Sequence, residues 1–132
     1  MYDLFGKSKS TISEHINKVF EDTAGRLWVV TQVCGVFCRD NITGKWRHYT
    51  RSNSGLLSDK VLNVYEDSRN NLWFCTQNAG ICRYHPRTGR FVKVPVPRYA
   101  PEQTVFQIRE DRAGKLWLST YNGLICYDPK TE

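Results

Sequence analysis

Residues 21–28 read Glu-Asp-Thr-Ala-Gly-Arg-Leu-Trp, and the chain repeats this phrase twice. It returns as Glu-Asp-Ser-Arg-Asn-Asn-Leu-Trp at residues 66–73 and as Glu-Asp-Arg-Ala-Gly-Lys-Leu-Trp at residues 110–117. The offset between copies is 45 residues and then 44 residues. Self-similarity at a period of this size is typical of an array of supersecondary units, so the repeat governs the interpretation of the whole chain.

Each period contains short runs of strand-forming residues separated by turn residues. The runs of the first period are residues 16–21, 27–31, 35–39 and 45–50, and those of the second are 61–66, 72–76, 80–84 and 90–94. The third period contains residues 105–110, 116–120 and 123–127 and then stops without a fourth run. Four-stranded antiparallel units of about 40–50 residues, each with a Trp at a fixed place, predict β-propeller blades.

The predicted fold is therefore all-β, a partial β-propeller of about three four-stranded antiparallel blades in which the last blade lacks its outer strand. The whole chain would be one propeller fragment. Its predicted divisions are an outer strand of a preceding blade plus a linker (1–12), blade 1 (13–57), blade 2 (58–101) and an incomplete blade 3 (102–132). Because known propellers have about four to eight blades, we expect a piece of a larger propeller or a ring formed with other copies.

The repeated acidic pair admits two interpretations. Carboxylates side by side can serve acid–base catalysis or a cation site, but such a site is needed once, whereas this pair recurs in every unit. The third residue after each Asp is Gly25, Asn70 or Gly114, which are types that tolerate a positive φ. We therefore predict a hairpin turn whose amides are bound by the repeated aspartates, Asp22, Asp67 and Asp111.

The repeated tryptophans, Trp28, Trp73 and Trp117, open the second strand of each unit beside a Leu. Alternation along a strand sends Leu and Trp to opposite faces, so each blade would present apolar surface to both neighbours. An aromatic platform for sugars is the alternative. Packing between blades is the prediction that we favour.

Composition limits the function classes. The chain has 132 residues and a formal net charge of +6, but its Lys and Arg residues form no run of five or more, which argues against nucleic acid as a partner. No apolar stretch is long enough to span a membrane, and the first residues do not form a signal peptide. The five cysteines include no CxxC pair, and the three histidines share no catalytic spacing. We therefore expect no enzyme activity, no metal site, no cofactor and no direct membrane contact.

The consensus of the three units is Glu-Asp-x-x-Gly-x-Leu-Trp-x-x-Thr-x-x-x-Gly-Leu-x-x-Tyr-Asp-Pro-x-Thr-Gly. It resembles the two-component regulator propeller repeat from about Ser13 to Thr131. Departures are small: Asn70 replaces the turn Gly, Asn41 replaces the Pro, and Glu102 stands where the first two copies have Ser13 and Ser58. The resemblance implies a periplasmic, oligosaccharide-responsive sensor segment of a hybrid two-component sensor histidine kinase of the Bacteroidetes type, in which the kinase lies elsewhere in the parent protein.

In a propeller, the loops from strand two to strand three share one end of the blades with the connections between blades. The loop residues predicted to bind ligand there are Gln32, Gln77, Asn78, Tyr121, Asn122, Arg51 and Arg98. Amides, a Tyr ring and Arg suit sugar hydroxyls and the acid groups of sugars, and the net charge favours an acidic oligosaccharide. The alternative is that they are solvated loop residues without a ligand.

A different function class is a protein-interaction or assembly scaffold that docks on other blades, forms homo-oligomers and binds no small ligand. Exposed apolar blade faces would favour it. A propeller lyase or glycosidase is a weaker alternative because it needs a singular polar cluster, and the three similar units offer none.

Overall fold

The computed structural model describes residues 15–95 and 103–130, which form eleven β-strands and one short helix. The strands of the first period are β1 (Ile16–Glu21), β2 (Leu27–Thr31), β3 (Val36–Arg39) and β4 (Trp46–Tyr49), followed by the helix α1 (Arg51–Ser54). The second period holds β5 (Val61–Glu66), β6 (Leu72–Thr76), β7 (Ile81–His85) and β8 (Arg90–Lys93). The third holds β9 (Val105–Glu110), β10 (Leu116–Thr120) and β11 (Gly123–Tyr127).

The strands pair in chain order into three separate antiparallel sheets. We call β1–β4 blade 1, β5–β8 blade 2 and β9–β11 blade 3. The predicted fold class is confirmed, including the three-stranded last blade. The predicted outer strand in residues 1–12 lies outside the described residues, and the exact residue at which one blade ends and the next begins stays a prediction.

One apolar core lies between blades 1 and 2. The blade 1 face that carries Trp28, Val30 and Cys38 packs against blade 2 residues such as Val64 and Phe74, and all five side chains are buried. Trp28 meets Phe74 edge to face, with ring centroids 5.2 Å apart. Aromatic pairs in this geometry contribute more than their buried area alone.

A second core repeats this arrangement between blades 2 and 3. Trp73 and Ile81 of blade 2 pack against Ile108, Leu116 and Tyr127 of blade 3. The same face of each blade therefore contacts the next blade along the chain. On blade 3 that face is open within the described residues: Trp117 is 37% exposed and Leu124 is 66% exposed.

The helix α1 was not predicted. The predicted fourth strand reaches Thr50, whereas β4 ends at Tyr49 and Thr50 caps a four-residue helix. The Asn53 side chain accepts a hydrogen bond from the Thr50 amide at 2.8 Å, and Gly55 ends the helix at a φ of 81°. A side-chain cap at the start and a left-handed residue at the end stabilise a turn of helix that is too short to show periodicity.

Carboxylates also join the blades at their β1–β2-type turns. The Glu66 carboxylate of blade 2 accepts hydrogen bonds from the Thr23 amide at 3.0 Å and from the Thr23 hydroxyl at 2.7 Å. Glu110 of blade 3 accepts the same pair of bonds from Ser68 of blade 2, both at 2.7 Å. The first residue of the repeated Glu-Asp pair thus clamps the preceding blade.

We expect Glu66→Gln to lower the free energy of unfolding by about 0.5–1.5 kcal/mol, because it weakens two charge-assisted hydrogen bonds near solvent. Urea denaturation followed by far-UV circular dichroism measures the loss. Glu21→Gln is the matched control, since the structure describes no hydrogen bond for the carboxylate at this equivalent position in blade 1. Equal losses in both variants would contradict the clamp.

Candidate functional site

Each repeated Asp closes its own turn and binds the Trp of the next strand. In blade 1 the Asp22 carboxylate accepts bonds from the Arg26 amide at 2.8 Å, the Arg26 Nε at 2.7 Å and the Trp28 Nε1 at 2.9 Å. In blade 2, Asp67 accepts the indole N–H of Trp73, again at 2.9 Å. Because each carboxylate already accepts these hydrogen bonds, the two aspartates stabilise the turn of their own blade.

The third copy of this turn lies at the open face. Asp111 accepts a bond from Trp117 Nε1 at 2.9 Å and from the Lys115 amide at 3.0 Å. The indole bond, followed by the bond from the Lys115 amide, lowers the pKa of Asp111. The turn residues Gly25, Asn70 and Gly114 have φ values of 87°, 65° and 85°, as their side chains, or the lack of one, predicted.

Two of the predicted ligand-binding residues contact each other. Gln32 Nε2 donates to Gln77 Oε1 at 2.8 Å, and Gln32 Oε1 accepts from Asn17 Nδ2 at 3.1 Å. We call this chain of side-chain hydrogen bonds the ladder. It crosses from blade 1 to blade 2 because both glutamines directly follow a strand-terminal Thr, at Thr31 and Thr76. Both Gln32 side-chain polar atoms are thus committed to the protein, while Gln77 Nε2 has no described partner.

The β2–β3 loops and the connections between blades lie together, as predicted for this end of a propeller. Gly35 donates its amide to the Asp59 carbonyl at 2.9 Å, and Gly80 donates to the Gln103 carbonyl at 2.8 Å. We call this end the loop face. It holds Gln32, Gln77, Asn78, Tyr121, Asn122 and Arg51.

The other predicted loop residues differ in whether their side chains are already used in hydrogen bonds within the protein. Asn78 Oδ1 accepts a bond from the Thr104 hydroxyl at 3.0 Å. The Asn122 amide and the Arg51 amide bind the Thr120 hydroxyl and the Asp59 carboxylate, so their backbones are fixed while both side chains lie exposed. Arg98 lies outside the described residues.

Tyr121 is the prominent side chain of the loop face. It follows Thr120 as Gln32 follows Thr31 and Gln77 follows Thr76, so the third copy carries an aromatic ring where the first two carry amides. The ring is 76% exposed and stands edge to face on Phe106, with centroids 4.8 Å apart. A supported, exposed ring at the same repeat position as the Gln32 and Gln77 amides suits stacking on a sugar.

The cysteines are mostly small apolar core residues. Cys38, Cys75 and Cys82 are buried, and burial raises the pKa of Cys38 and of Cys82 to about 12. Cys126 is exposed, because it lies beside Trp117 on the open face of blade 3. Within residues 15–95 and 103–130, no three His, Cys, Asp or Glu side chains cluster as metal ligands do.

Comparison with protein families gives a match to two stretches of the chain. A family model described as "Two component regulator propeller" matches residues 55–78 and 100–122. Each of these stretches contains one copy of the repeated phrase, at residues 66–73 and 110–117. These two stretches of the chain are similar to the two-component regulator propeller repeat. The expected resemblance is thereby confirmed. The comparison with curated proteins finds no match.

Solved structures share the fold. The extracellular domain of BT4673 from B. thetaiotaomicron, described as a one-component or hybrid two-component system, superposes with a TM-score of 0.77 at 22% identity over 89% of this chain. The extracellular domain of BT3049, described as a hybrid two-component system of the same organism, gives a TM-score of 0.72 at 21% identity over 96%. The present chain spans 16% and 17% of their lengths.

A third similar structure is an enzyme. Virginiamycin B lyase from Staphylococcus aureus gives a TM-score of 0.63 at 17% identity, covering 93% of this chain and 44% of the lyase. At this identity the likeness concerns the fold alone.

No helix among the described residues has the length and apolar character that crossing a bilayer requires.

Proposed function

We propose that this chain is a segment of the extracytoplasmic sensor propeller of a hybrid two-component histidine kinase and that the propeller responds to an oligosaccharide. The propeller repeats and the likeness to extracellular domains of such systems support the sensor assignment. The parent protein would carry the kinase, and this segment would lie in the periplasm. Its task would be to bind, not to catalyse.

One observation carries the ligand part of the proposal: the row of equivalent loop positions formed by Gln32, Gln77 and Tyr121. The two amides are aligned by a direct hydrogen bond, and the Tyr121 ring is 76% exposed on its Phe106 support. Oligosaccharide sites combine aromatic faces with fixed polar groups, because sugars offer apolar ring faces and rigid hydroxyls. Asn78, Asn122 and Arg51 would add polar contacts at the same end.

Isothermal calorimetry of the chain with neutral and acidic oligosaccharides tests this proposal. We expect at least one of them to bind, and Tyr121→Ala to weaken that binding by about tenfold through loss of the stacked ring. Ile42→Ala is a suitable control because Ile42 is also highly exposed but lies in a β3–β4 turn away from the loop face. The absence of heat with every saccharide, in this chain and in the complete parent propeller, would refute the ligand part.

The open face of blade 3 favours a second candidate function, assembly with other blades or a protein partner without a small ligand. Trp117, Leu124 and Cys126 lie exposed where the corresponding residues of blades 1 and 2 are buried or contact a neighbour. Under this candidate, analytical ultracentrifugation would show association that rises with protein concentration and ignores saccharide. Association that instead requires a saccharide would support the sensor.

A further inference from the structure

A cleft lies between blades 1 and 2 at the end of the sheets opposite the loop face. It has a volume of about 320 Å³, within the usual range of ligand sites, and is lined by Arg26, Arg47 and Tyr49 of blade 1 and by Tyr84 and Arg87 of blade 2. A neighbouring depression shares Arg47 and Tyr49 and adds Arg90. We call the joined space the arginine cleft, after its four arginines Arg26, Arg47, Arg87 and Arg90.

Positive charge exceeds negative charge in the arginine cleft. Asp40 is the carboxylate that lines it, and this side chain already accepts the amides of Thr43 at 2.9 Å and Ile42 at 2.8 Å. Arg26 is paired through Nε with Asp22. Among the described residues no carboxylate lies within ion-pair distance of Arg47, Arg87 or Arg90, although hydrogen bonds from the amides of Thr43 and Ile42 lower the pKa of Asp40 and the nearby charge of Arg47 adds to this effect. The guanidinium groups are therefore not held in an ion pair, and they outnumber the single carboxylate of the lining.

The floor of the cleft is partly aromatic and is held together by contacts between its side chains. The Arg26 guanidinium lies 5.5 Å from the centre of the Tyr84 ring and 5.8 Å from that of Trp28. The hydroxyl groups of Tyr49 and Tyr84 are 3.3 Å apart. Because Asp22 engages only Nε, the terminal nitrogens of Arg26 are held in place without being used up, which favours bidentate contact with a sulfate or carboxylate.

The fold does not require Arg26 or Arg47. One repeat later, Asn71 takes the place of Arg26 and Val92 takes the place of Arg47. Asn71 Nδ2 still donates to Asp67 at 3.1 Å, so an amide suffices for the turn bond that the guanidinium of Arg26 makes to Asp22. Blades 2 and 3 pack through the same faces with a different set of cations: the Arg83 guanidinium lies 5.9 Å from the centre of the Trp73 ring, and Lys130 stands where blade 2 has Arg87. The pair Arg26 and Arg47 therefore distinguishes this interface from the next one by where its cations lie, not by the presence of cations.

We propose that the arginine cleft binds the sulfate or carboxylate group of an acidic saccharide. Arg47 and Arg87, one from each blade, contact the anion, and Arg26 with the two tyrosines forms the floor on which the sugar rests. The choice of a saccharide as the ligand rests on the proposed sensor function, because a free inorganic anion would offer the arginines the same chemistry. The site is distinct from the loop face, at the other end of the blades.

Calorimetry of the full 132-residue chain tests the cleft with three probes at one fixed ionic strength: inorganic sulfate, a sulfated heparin disaccharide and neutral lactose. We expect the sulfated disaccharide to bind at least about tenfold more tightly than sulfate. The double variant Arg47→Gln with Arg87→Gln should weaken it by at least about tenfold. Arg69→Gln with Arg112→Gln is the matched control, because it removes the same charge from exposed turns outside the cleft and should change the affinity by less than about twofold.

The possible results separate the cleft from the sensor proposal. Equal weakening in both double variants would mean a general charge effect and would overturn the cleft. Binding that falls with Tyr121→Ala but not with Arg47→Gln and Arg87→Gln would also overturn it, while leaving the sensor function standing. Sulfate binding as tight as disaccharide binding would overturn the saccharide assignment. Circular dichroism of each variant confirms that these surface changes leave the fold intact.

Discussion

Replacing Trp28 by alanine is expected to lower the free energy of unfolding by about 3–5 kcal/mol, the usual cost of emptying a buried aromatic site. The Trp28 side chain is completely buried and meets Tyr84 and Phe74 of the next blade, with ring centroids 4.8 Å and 5.2 Å away. Its removal leaves a cavity between two sheets that share no backbone hydrogen-bond ladder. Urea denaturation followed by far-UV circular dichroism gives the value without relying on Trp fluorescence.

Trp117→Ala is the matched control, because Trp117 has the same repeat position and the same indole bond to an Asp. Its ring is 37% exposed on the open face of blade 3, so we expect a loss below about 2 kcal/mol. If Trp28→Ala prevents folding, Trp28→Phe keeps an apolar ring and should cost about 1–3 kcal/mol. Similar losses at both tryptophans would show that packing between blades is not what the repeated residue supplies.

The strand positions could be predicted because the turn chemistry is repeated with the strands. Residues that permit positive φ recur at Gly25, Asn70 and Gly114, and each fixes where one strand ends and the next begins. Seven of the eleven described strands have the predicted bounds, and the others differ by one residue at one or both ends. The signal is strong because three copies of one pattern were available in a single chain.

The bonds between blades were beyond the sequence analysis for a physical reason. A strand pattern gives the face on which a side chain lies but not the distance to a residue about 45 positions away. The Glu66 clamp on Thr23 and the ladder from Gln32 to Gln77 both depend on how closely two sheets approach. Glu recurs at the start of each phrase, and this recurrence was the available signal for a contact between blades.

The candidate site, too, could be predicted from the sequence only in part. Tyr121 was selected because it lies in a loop where copies differ, and the structure adds its support by Phe106. The arginine cleft was missed because Arg26, Arg47 and Arg87 are scattered along the chain and form no charge run. They approach one another only through the packing of blade 1 on blade 2. Comparing each copy with its equivalent positions, where Asn71 and Val92 stand, would have singled out two of them.

Asp67→Ala is expected to lower the free energy of unfolding by about 2–4 kcal/mol, because it leaves a buried donor without an acceptor. Asp67 itself is buried, and Trp73, whose indole N–H it accepts at 2.9 Å, is completely buried. The same carboxylate accepts the amides of Arg69 at 2.9 Å and Asn71 at 2.8 Å. Water can replace Asp67 at these turn amides more readily than at the buried indole, so the indole should account for most of the loss.

A double-mutant cycle with Trp73→Phe isolates that contribution, since Phe keeps the ring and removes the donor. In the Trp73→Phe background we expect Asp67→Ala to cost less by about 1–2 kcal/mol, because no orphaned N–H remains. Asp111→Ala is the control in blade 3: Trp117 is partly exposed, so water can accept its N–H and the loss should be smaller. An unchanged cost of Asp67→Ala in both backgrounds would assign the repeated Asp to the turn amides alone and leave the recurring Asp–Trp spacing to packing between blades.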